Sequence, residues 1–395
     1  MPLSPLRTGL IVLAIWCAGL GAAAQFAKIS VMFDLLAARY PGVGPQTGIG
    51  FMVSVVGLVG LVSGTTAGIL VQRAGFRRVL IRATGLGAVL SGLQALMPGF
   101  GLMMLSRVVE GASHLAIVVA GPVLIAQVAP LRQQGLAMTL WASFFGVSFA
   151  VTAWVGLPLA EAFGPAALFA AHGIYMAAIC AVLALLLPRD IAVQGVAPLT
   201  LRGVIAQHRA IYASPRIAAP ALGFVFYTLI FVAVLTLLPP MFRGTGRALV
   251  ATGMPLISIA VSLVLGVALL KLMPAVRLVQ LGLALGFFGA VLLWATWGGA
   301  FAVAAALALA SALGLVQGAS FAAIPQLNAS PGTRAMAAGA VAQLGNLGTT
   351  TGTPVLALLI GALGIGGVLL FVAPLCLGGV LMHQWLAGRR AHEAG

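Results

Sequence analysis

Residues 107–122 read Arg107-Val-Val-Glu110-Gly111-Ala-Ser-His114-Leu-Ala-Ile-Val-Val-Ala-Gly-Pro122. Three ionisable side chains stand here inside a run otherwise apolar enough to cross a bilayer. At about 3.6 residues per turn, Arg107, Glu110, Gly111 and His114 share one helical face, while Val108, Val109, Leu115 and Val119 point elsewhere. A charge near the bilayer centre costs at least about 2.5 kcal/mol on insertion scales, so such a face turns to a protein interior or a watery cavity and carries function. If the helix enters near Gly101, Arg107 stands about 9 Å deep, Glu110 about 14 Å and His114 about 20 Å in an apolar layer of about 30 Å. The segment is expected to be the core of a solute pathway, with Glu110 near the midplane.

The rest of the chain suits that setting. Of its 395 residues, 62% are hydrophobic and 6% charged, against roughly 25% charged in a soluble domain, and the mean hydropathy is +1.17. A polytopic membrane protein follows. The net charge of +15 comes from 20 Lys and Arg against five acids. These basic residues fall singly or in small groups between apolar runs, the pattern that sets membrane orientation and not a nucleic-acid surface. Cys17, Cys180 and Cys376 each lie alone in an apolar run, so no metal and no cofactor is expected. An enzyme is not expected either: there is no His-Glu-x-x-His and no Gly-x-Ser-x-Gly, and two of the five carboxylates, Asp190 and Glu393, lie in polar flanks.

Apolar runs long enough to span fall at 9–36, 49–70, 79–97, 100–128, 136–158 and 166–187, then at 218–238, 249–270, 278–297, 300–327, 336–360 and 364–386. The first contains Ala22-Ala23-Ala24-Gln25, a string like a signal-peptide cleavage site, but the run continues to Leu36 and is taken as a retained span. Residues 188–217 form the longest polar interval, which sets a division into a bundle over 1–190, a linker over 191–216 and a second bundle over 217–395. Fifteen basic residues fall on one side of twelve alternating spans, only Arg39, Arg243 and Arg247 on the other, and Lys28 and Arg107 inside. Both termini and the linker are therefore expected in the cytoplasm. The halves also resemble each other: Glu110-Gly-Ala-Ser-His-Leu-Ala-Ile117 aligns with Gln317-Gly-Ala-Ser-Phe-Ala-Ala-Ile324, and Pro130 and Arg132 recur as Pro331 and Arg334. Duplication of a six-helix unit is the pattern of a transporter.

Between the second and third runs stands Gly68-Ile-Leu70-Val-Gln72-Arg73-Ala-Gly75-Phe76-Arg77-Arg78-Val-Leu80. This resembles the cytoplasmic signature of the major facilitator superfamily, Gly-x-Leu-x-Asp-Arg-x-Gly-x-Arg-Arg in rough form, with Gln72 where that family has an acid and Phe76 at a position often basic. The resemblance implies a gating loop made by Gly68, Gln72, Arg73, Gly75, Arg77 and Arg78, with hydrogen bonds in place of the missing charge. Arg107-x-x-Glu110-Gly111 is similar to the family's Arg-x-x-x-Gly signature, which is often linked with proton coupling. The resemblance covers the whole plan and implies an all-α membrane protein of twelve transmembrane helices in two pseudo-symmetric six-helix bundles, with the first, fourth, seventh and tenth helices lining a cavity.

The residues leave several roles open. Glu110 suits a switchable proton carrier, and it equally suits a permanent ion pair with Arg107 or Lys28. His114 titrates nearest neutrality and shares that candidacy, or is a neutral hydrogen-bonded histidine. Lys28 either joins Arg107 at its depth or reaches outward to the membrane surface. At the aligned positions of the second half, Arg107 becomes Gly314, Glu110 becomes Gln317 and His114 becomes Phe321. Phe224, Tyr227 and Phe231 form an aromatic stripe at helical spacing, and Gly60, Gly64, Gly68, Gly348 and Gly352 suit close helix packing.

The candidate substrate and proton site is thus Lys28, Arg107, Glu110, His114, Tyr227, Gln317 and Phe321. The expected activity is secondary transport of a small organic solute, anionic or polar, by alternating access as proton-coupled uptake. Proton-antiport efflux of drugs or metabolites is the alternative, and a non-transporting sensor a remote one. The expected partners are that solute, protons and the lipid of a bacterial inner membrane, with no nucleic acid, for a chain acting as a monomer.

Overall fold

In the computed structural model residues 4–43, 48–188 and 200–393 are described. Every regular element among them is helical, because a backbone in hydrocarbon must satisfy its polar groups within its own segment. In chain order the helices are α1 Pro5–Val31, α2 Phe33–Arg39, α3 Gly50–Ala74, α4 Phe76–Ala95 and α5 Phe100–Val128. Then come α6 Gln134–Ala142, α7 Phe144–Val151, α8 Leu157–Phe163 and α9 Pro165–Leu186, with a π-helical turn over Thr152–Gly156 between α7 and α8. The rest are α10 Leu201–Ala213, α11 Ala218–Leu237, α12 Gly244–Val261, α13 Val267–Leu270, α14 Ala275–Ala295, α15 Ala302–Leu327, α16 Pro331–Leu363 and α17 Ile365–His392.

Eleven helical stretches among the described residues are long and apolar enough to cross a membrane. The expected third span, 79–97, forms α4, which is outside that set. Arg77, Arg78 and Arg82 in its first turns lower its mean hydropathy, although its 20 residues match the length of a span. The expected fifth span is longer than 136–158, running over Leu131–Phe163, and it is interrupted: α6 ends at Ala142 with Ser143 as its C-cap, and the π turn precedes Pro158. Asp190 and residues 191–199 of the expected linker lie outside the described residues.

Helix ends follow local chemistry. Ser4, Thr200 and Ser330 each accept a bond from the backbone N–H three residues on, capping α1, α10 and α16. Gly75, at φ +89°, ends α3 and starts α4 in one residue, a backbone conformation that a Cβ would strain.

The chain packs as two compact units, Met1–Pro130 with Phe144–Leu199, and Leu131–Ser143 with Thr200–Gly395. In the first, Ile29, Met32, Leu36, Met52, Met103 and Phe169 form a buried cluster. Small residues draw its helices together: a Cβ on Gly111 would stand 2.8 Å from the Val56 carbonyl oxygen, so α3 and α5 touch backbone to backbone there. In the second unit the core runs through Tyr227, Val250, Leu283, Leu309 and Val372. Gly352 of α16 lies against Leu229 of α11, whose carbonyl oxygen would be 2.2 Å from an added Cβ. Helix α10 belongs to this unit, and Tyr212 at its end donates to Gln343 Oε1 at 2.8 Å. Burial pushes the Tyr212 hydroxyl up to about 12, so it stays a donor at physiological pH.

Candidate functional site

Four helices of the first unit bring their polar side chains to one point. Lys28 of α1, Ser91 and Gln94 of α4, Arg107 and Glu110 of α5 and His172 of α9 are each at most 6% exposed. The Lys28 ammonium uses its three protons on Glu110 Oε1 at 2.6 Å, Ser91 Oγ at 2.7 Å and Gln94 Oε1 at 2.7 Å, and it lies 5.2 Å from the centre of the Phe169 ring. Glu110 Oε2 accepts from Gln94 Nε2 at 2.8 Å and from Arg107 Nη1. The Gln94 amide nitrogen also lies 3.1 Å from Ser106 Oγ. Arg107 Nε donates to the Met52 carbonyl at 3.1 Å. His172 Nε2 faces the Gly21 carbonyl at 2.9 Å and so carries the proton, which leaves Nδ1 to accept from Ser91 Oγ at 2.6 Å.

Two cations thus share one carboxylate in a dry interior, a cluster of formal charge +1. Such a group is stable only while every partner is present, since removing one from a buried pair costs about 3–5 kcal/mol. One donor is left over. Arg107 Nη2 is buried and meets no acceptor among the described residues, and the buried acceptor Gln25 Oε1 likewise meets no donor. An unmet guanidinium N–H beside an excess positive charge is chemically a half-built anion site, because guanidinium bonds carboxylate and phosphate oxygens in pairs.

Of the two positions the sequence left open for Lys28, the structure has the one beside Arg107, and the two cations meet at Glu110. Lys28 is fully buried and does not reach outward; its ammonium has better partners inside. The two pairings left open for Glu110 occur together. Leu115 and Val119, expected to point away from the polar face, are themselves buried, at 4% and 0% exposure, because α5 is enclosed on most sides at that depth. His114 stands one turn beyond Glu110, outside the cluster: its Nδ1 donates to the Ala22 carbonyl at 2.9 Å and its ring edge packs on Phe26. Sequence reasoning missed Ser91, Gln94 and His172. The signal for His172 was available, a lone histidine within a 22-residue apolar helix, the same signal that picked out His114.

The second unit gathers the aromatic candidates. Tyr227 stacks between Phe224 and Phe231, with centroids 5.5 and 4.9 Å apart, and Phe321 meets Phe224 edge-on at 5.1 Å. Gln317 is not part of that stack; its Nε2 donates to the Ala142 carbonyl at 2.6 Å.

In the signature loop Gly68 and Gln72 are buried, and Arg73 and Arg78 are exposed. Arg77 donates to the carbonyls of Ala184 at 2.8 Å and Leu187 at 3.1 Å, closing the end of α9 where the helix leaves carbonyls unpaired. Of the motif's three arginines, Arg77 therefore has a structural task within its own unit.

The family model described as "Major Facilitator Superfamily" matches residues 11–343. Among solved structures, the human organic anion transporter MFSD10 (TETRAN) superposes with a TM-score of 0.78 at 16% identity, over 96% of this chain and 100% of that one. The proton:xylose symporter XylE, bound to 6-bromo-6-deoxy-D-glucose, gives 0.77 at 16% identity, over 96% and 95%. The fucose:proton symporter FucP of E. coli gives 0.70 at 16% identity, over 94% and 98%. No curated protein sequence matches the chain.

Proposed function

The chain belongs to the major facilitator superfamily, and from that premise we propose that it is a secondary transporter taking up a small organic anion by alternating access, with one proton. The observation that carries this reading is the buried +1 cluster of Lys28, Arg107 and Glu110 together with the unmet Nη2 of Arg107. An anion at Arg107 neutralises the excess charge and supplies the absent acceptor. Its arrival competes with Glu110 for the guanidinium, and a carboxylate losing one of two cations in a dry site gains affinity for a proton. Proton and substrate then favour the same loaded state, which is coupling. Ser91, Gln94 and His172 position Lys28, and Tyr227 and Phe321, in the aromatic stack of the second unit, are that unit's solute-binding candidates. Gln317 serves as a neutral counterpart to Glu110. Gly68, Gln72, Arg73, Gly75, Arg77 and Arg78 act in gating.

Uptake is favoured over export because the fifth segment reads Val155-Gly156-Leu157-Pro158 where exporters of the family often carry Gly-Pro. The positive-inside count favours cytoplasmic termini, and the reading takes α4 as a twelfth span and a bacterial inner membrane as the setting. Among proteins of this fold are one named an organic anion transporter and two named proton:sugar symporters; at 16% identity they lend the fold and leave the cargo to the site.

The test is uptake into proteoliposomes of radiolabelled carboxylates, phosphate esters, neutral sugars and organic cations, with and without an inward proton gradient, for wild type and Glu110→Gln. Saturable anion uptake driven by the gradient, with the drive lost in Glu110→Gln, is the expected result. Transport of cations alone would sink the charge argument, and gradient-driven accumulation surviving in the Gln variant would remove Glu110 from the coupling step.

A further inference from the structure

A crevice of about 290 Å³ enters the first unit between α1, the π turn and α9. Its walls are Leu20, Ala24, Val151, Val155, Leu168 and Ala171, and its floor is formed by Lys28 and His172. The π turn makes the space: the wide loop of backbone over Thr152–Gly156 ends in a glycine, and a Cβ on Gly156 would stand 2.9 Å from Leu168 Cδ1.

The polar groups around the crevice have no donor to spare. Ser148 donates to Leu20 O at 2.8 Å, Thr152 to Ser148 O at 2.7 Å and Tyr175 to Cys17 O at 2.8 Å. His172 spends its donor on the Gly21 carbonyl and Lys28 spends its three on Ser91, Gln94 and Glu110. An anion finds no free N–H or O–H here, and a chain of waters finds too few partners to fill the space. Whatever occupies it is apolar. The side it opens on is apolar: Val151 and Val155 of the lining are 52% and 63% exposed, and Trp154 beside them in the chain 87%, on a stretch apolar enough to cross a membrane, the composition of a surface turned to lipid hydrocarbon.

We infer that the crevice is a seat for one acyl chain of a membrane phospholipid, entered from the bilayer and ending against Lys28 and His172. Its volume is nearly twice that of the roughly 150 Å³ apolar cavity that accommodates benzene, so it holds a chain segment and not a whole lipid. Lipid tails are as apolar as the crevice walls, so the gain is in contact: an empty crevice leaves its lining atoms without dispersion partners on one side. A chain seated there also keeps water from the ion cluster behind it. This inference stands on the crevice alone and not on the identity of the transported solute.

The full-length protein would be reconstituted in vesicles containing a phospholipid with a photoactivatable diazirine near the end of one acyl chain, irradiated, digested and mapped by mass spectrometry. Label on the recessed residues Leu20, Ala24 or Leu168, several-fold above that on Phe288 of α14, which is a lipid-facing control at 66% exposure, is the expected result. Ala171→Phe, which fills the crevice, and Val151→Trp, which covers its mouth, should each lower that label several-fold and leave Phe288 unchanged. Label confined to Val151, Trp154 and Val155 in the wild type would mean annular lipid only and overturn the inference, as would recessed label that persists in either folded variant. The wild-type pattern decides the matter even if both variants fail to fold.

Discussion

Helices α5 and α15 carry the aligned octets of the two halves and use the same scaffold in opposite ways. In α5, Arg107, Glu110 and a partner lysine from α1 make a buried charge cluster. In α15 the equivalent of Arg107 is Gly314, where a Cβ would stand 2.3 Å from the Ser258 carbonyl oxygen of α12; the space an arginine needs is filled by a neighbouring backbone. The equivalent of Glu110 is Gln317, which donates to the Ala142 carbonyl, and that of His114 is Phe321, packed on an aromatic stack. The first unit therefore keeps a polar interior held by a hydrogen-bond network with one guanidinium donor left open, and the second keeps a close-packed one. Among the described residues the fully buried Lys, Arg and Glu, namely Lys28, Arg107 and Glu110, all lie in the first unit.

The comparison breaks most readily at Arg107. Arg107→Ala should abolish uptake and, by leaving Glu110 with one cation and Met52 O without its donor, destabilise the protein by about 3–5 kcal/mol. Uptake is read in proteoliposomes and stability from denaturant unfolding; normal transport by the variant would end the claim that charge in α5 matters. Next in size is the pair Lys28 and Glu110. Glu110→Gln leaves two cations without a counter-charge, and Lys28→Met leaves Ser91, Gln94 and Glu110 without their donor, each costing about 3–5 kcal/mol. The double variant retains Arg107 as the single charge and should recover a coupling energy of about 0.5–3 kcal/mol in a double-mutant cycle. Additive losses would mean that the two residues do not act as a pair.

How much of this arrangement was legible in the sequence divides along the same line. The spans, the repeat and the two buried cations follow from hydropathy and from the cost of charge in hydrocarbon, which act on each residue separately. Lys28 and Glu110 lie 82 positions apart, yet an ion pair between them was one of the alternatives the sequence left open, because a charge in hydrocarbon demands a partner. Ser91 and Gln94 escaped because α4 looked like one more apolar run, and a serine or glutamine in a helix costs too little to demand a partner. That they point at Lys28 depends on how α1, α4 and α5 rotate against one another, and rotation is set by packing of small residues, such as Gly111 on Val56, that no local pattern encodes. The interruption at Thr152–Gly156 escaped for a similar reason: Gly156 and Pro158 announce irregularity without saying that it takes the form of a π turn.

Smaller effects sharpen the comparison from the second unit. Gly314→Ala tests whether close packing in α15 is as exacting a requirement as charge in α5. Since the added methyl would face the Ser258 carbonyl at 2.3 Å, overpacking should cost about 1–3 kcal/mol. The helices can part only by disturbing α12, so the loss should appear as a lowered unfolding midpoint with ion selectivity of uptake unchanged. A change in selectivity would show that α15 contributes electrostatically after all.

Phe321→Leu should have the smallest effect. The substitution keeps an apolar side chain at 6% exposure and removes mainly the edge-on contact with Phe224, worth about 0.5–1.5 kcal/mol beyond area. Stability should fall by about that amount. The transport consequence separates two roles for the stack. If it only packs, KM for the anion stays at the wild-type value, because Leu still fills the site and no polar group is exposed. If the ring faces part of a bound solute, KM rises for solutes with an aromatic or bulky apolar end and stays constant for compact ones such as phosphate or acetate, since Arg107 alone would hold those. Measuring KM for one compact and one aromatic anion in the same variant gives the answer, and an equal rise for both would mean that Phe321 acts on the substrate only indirectly, through the shape of the second unit.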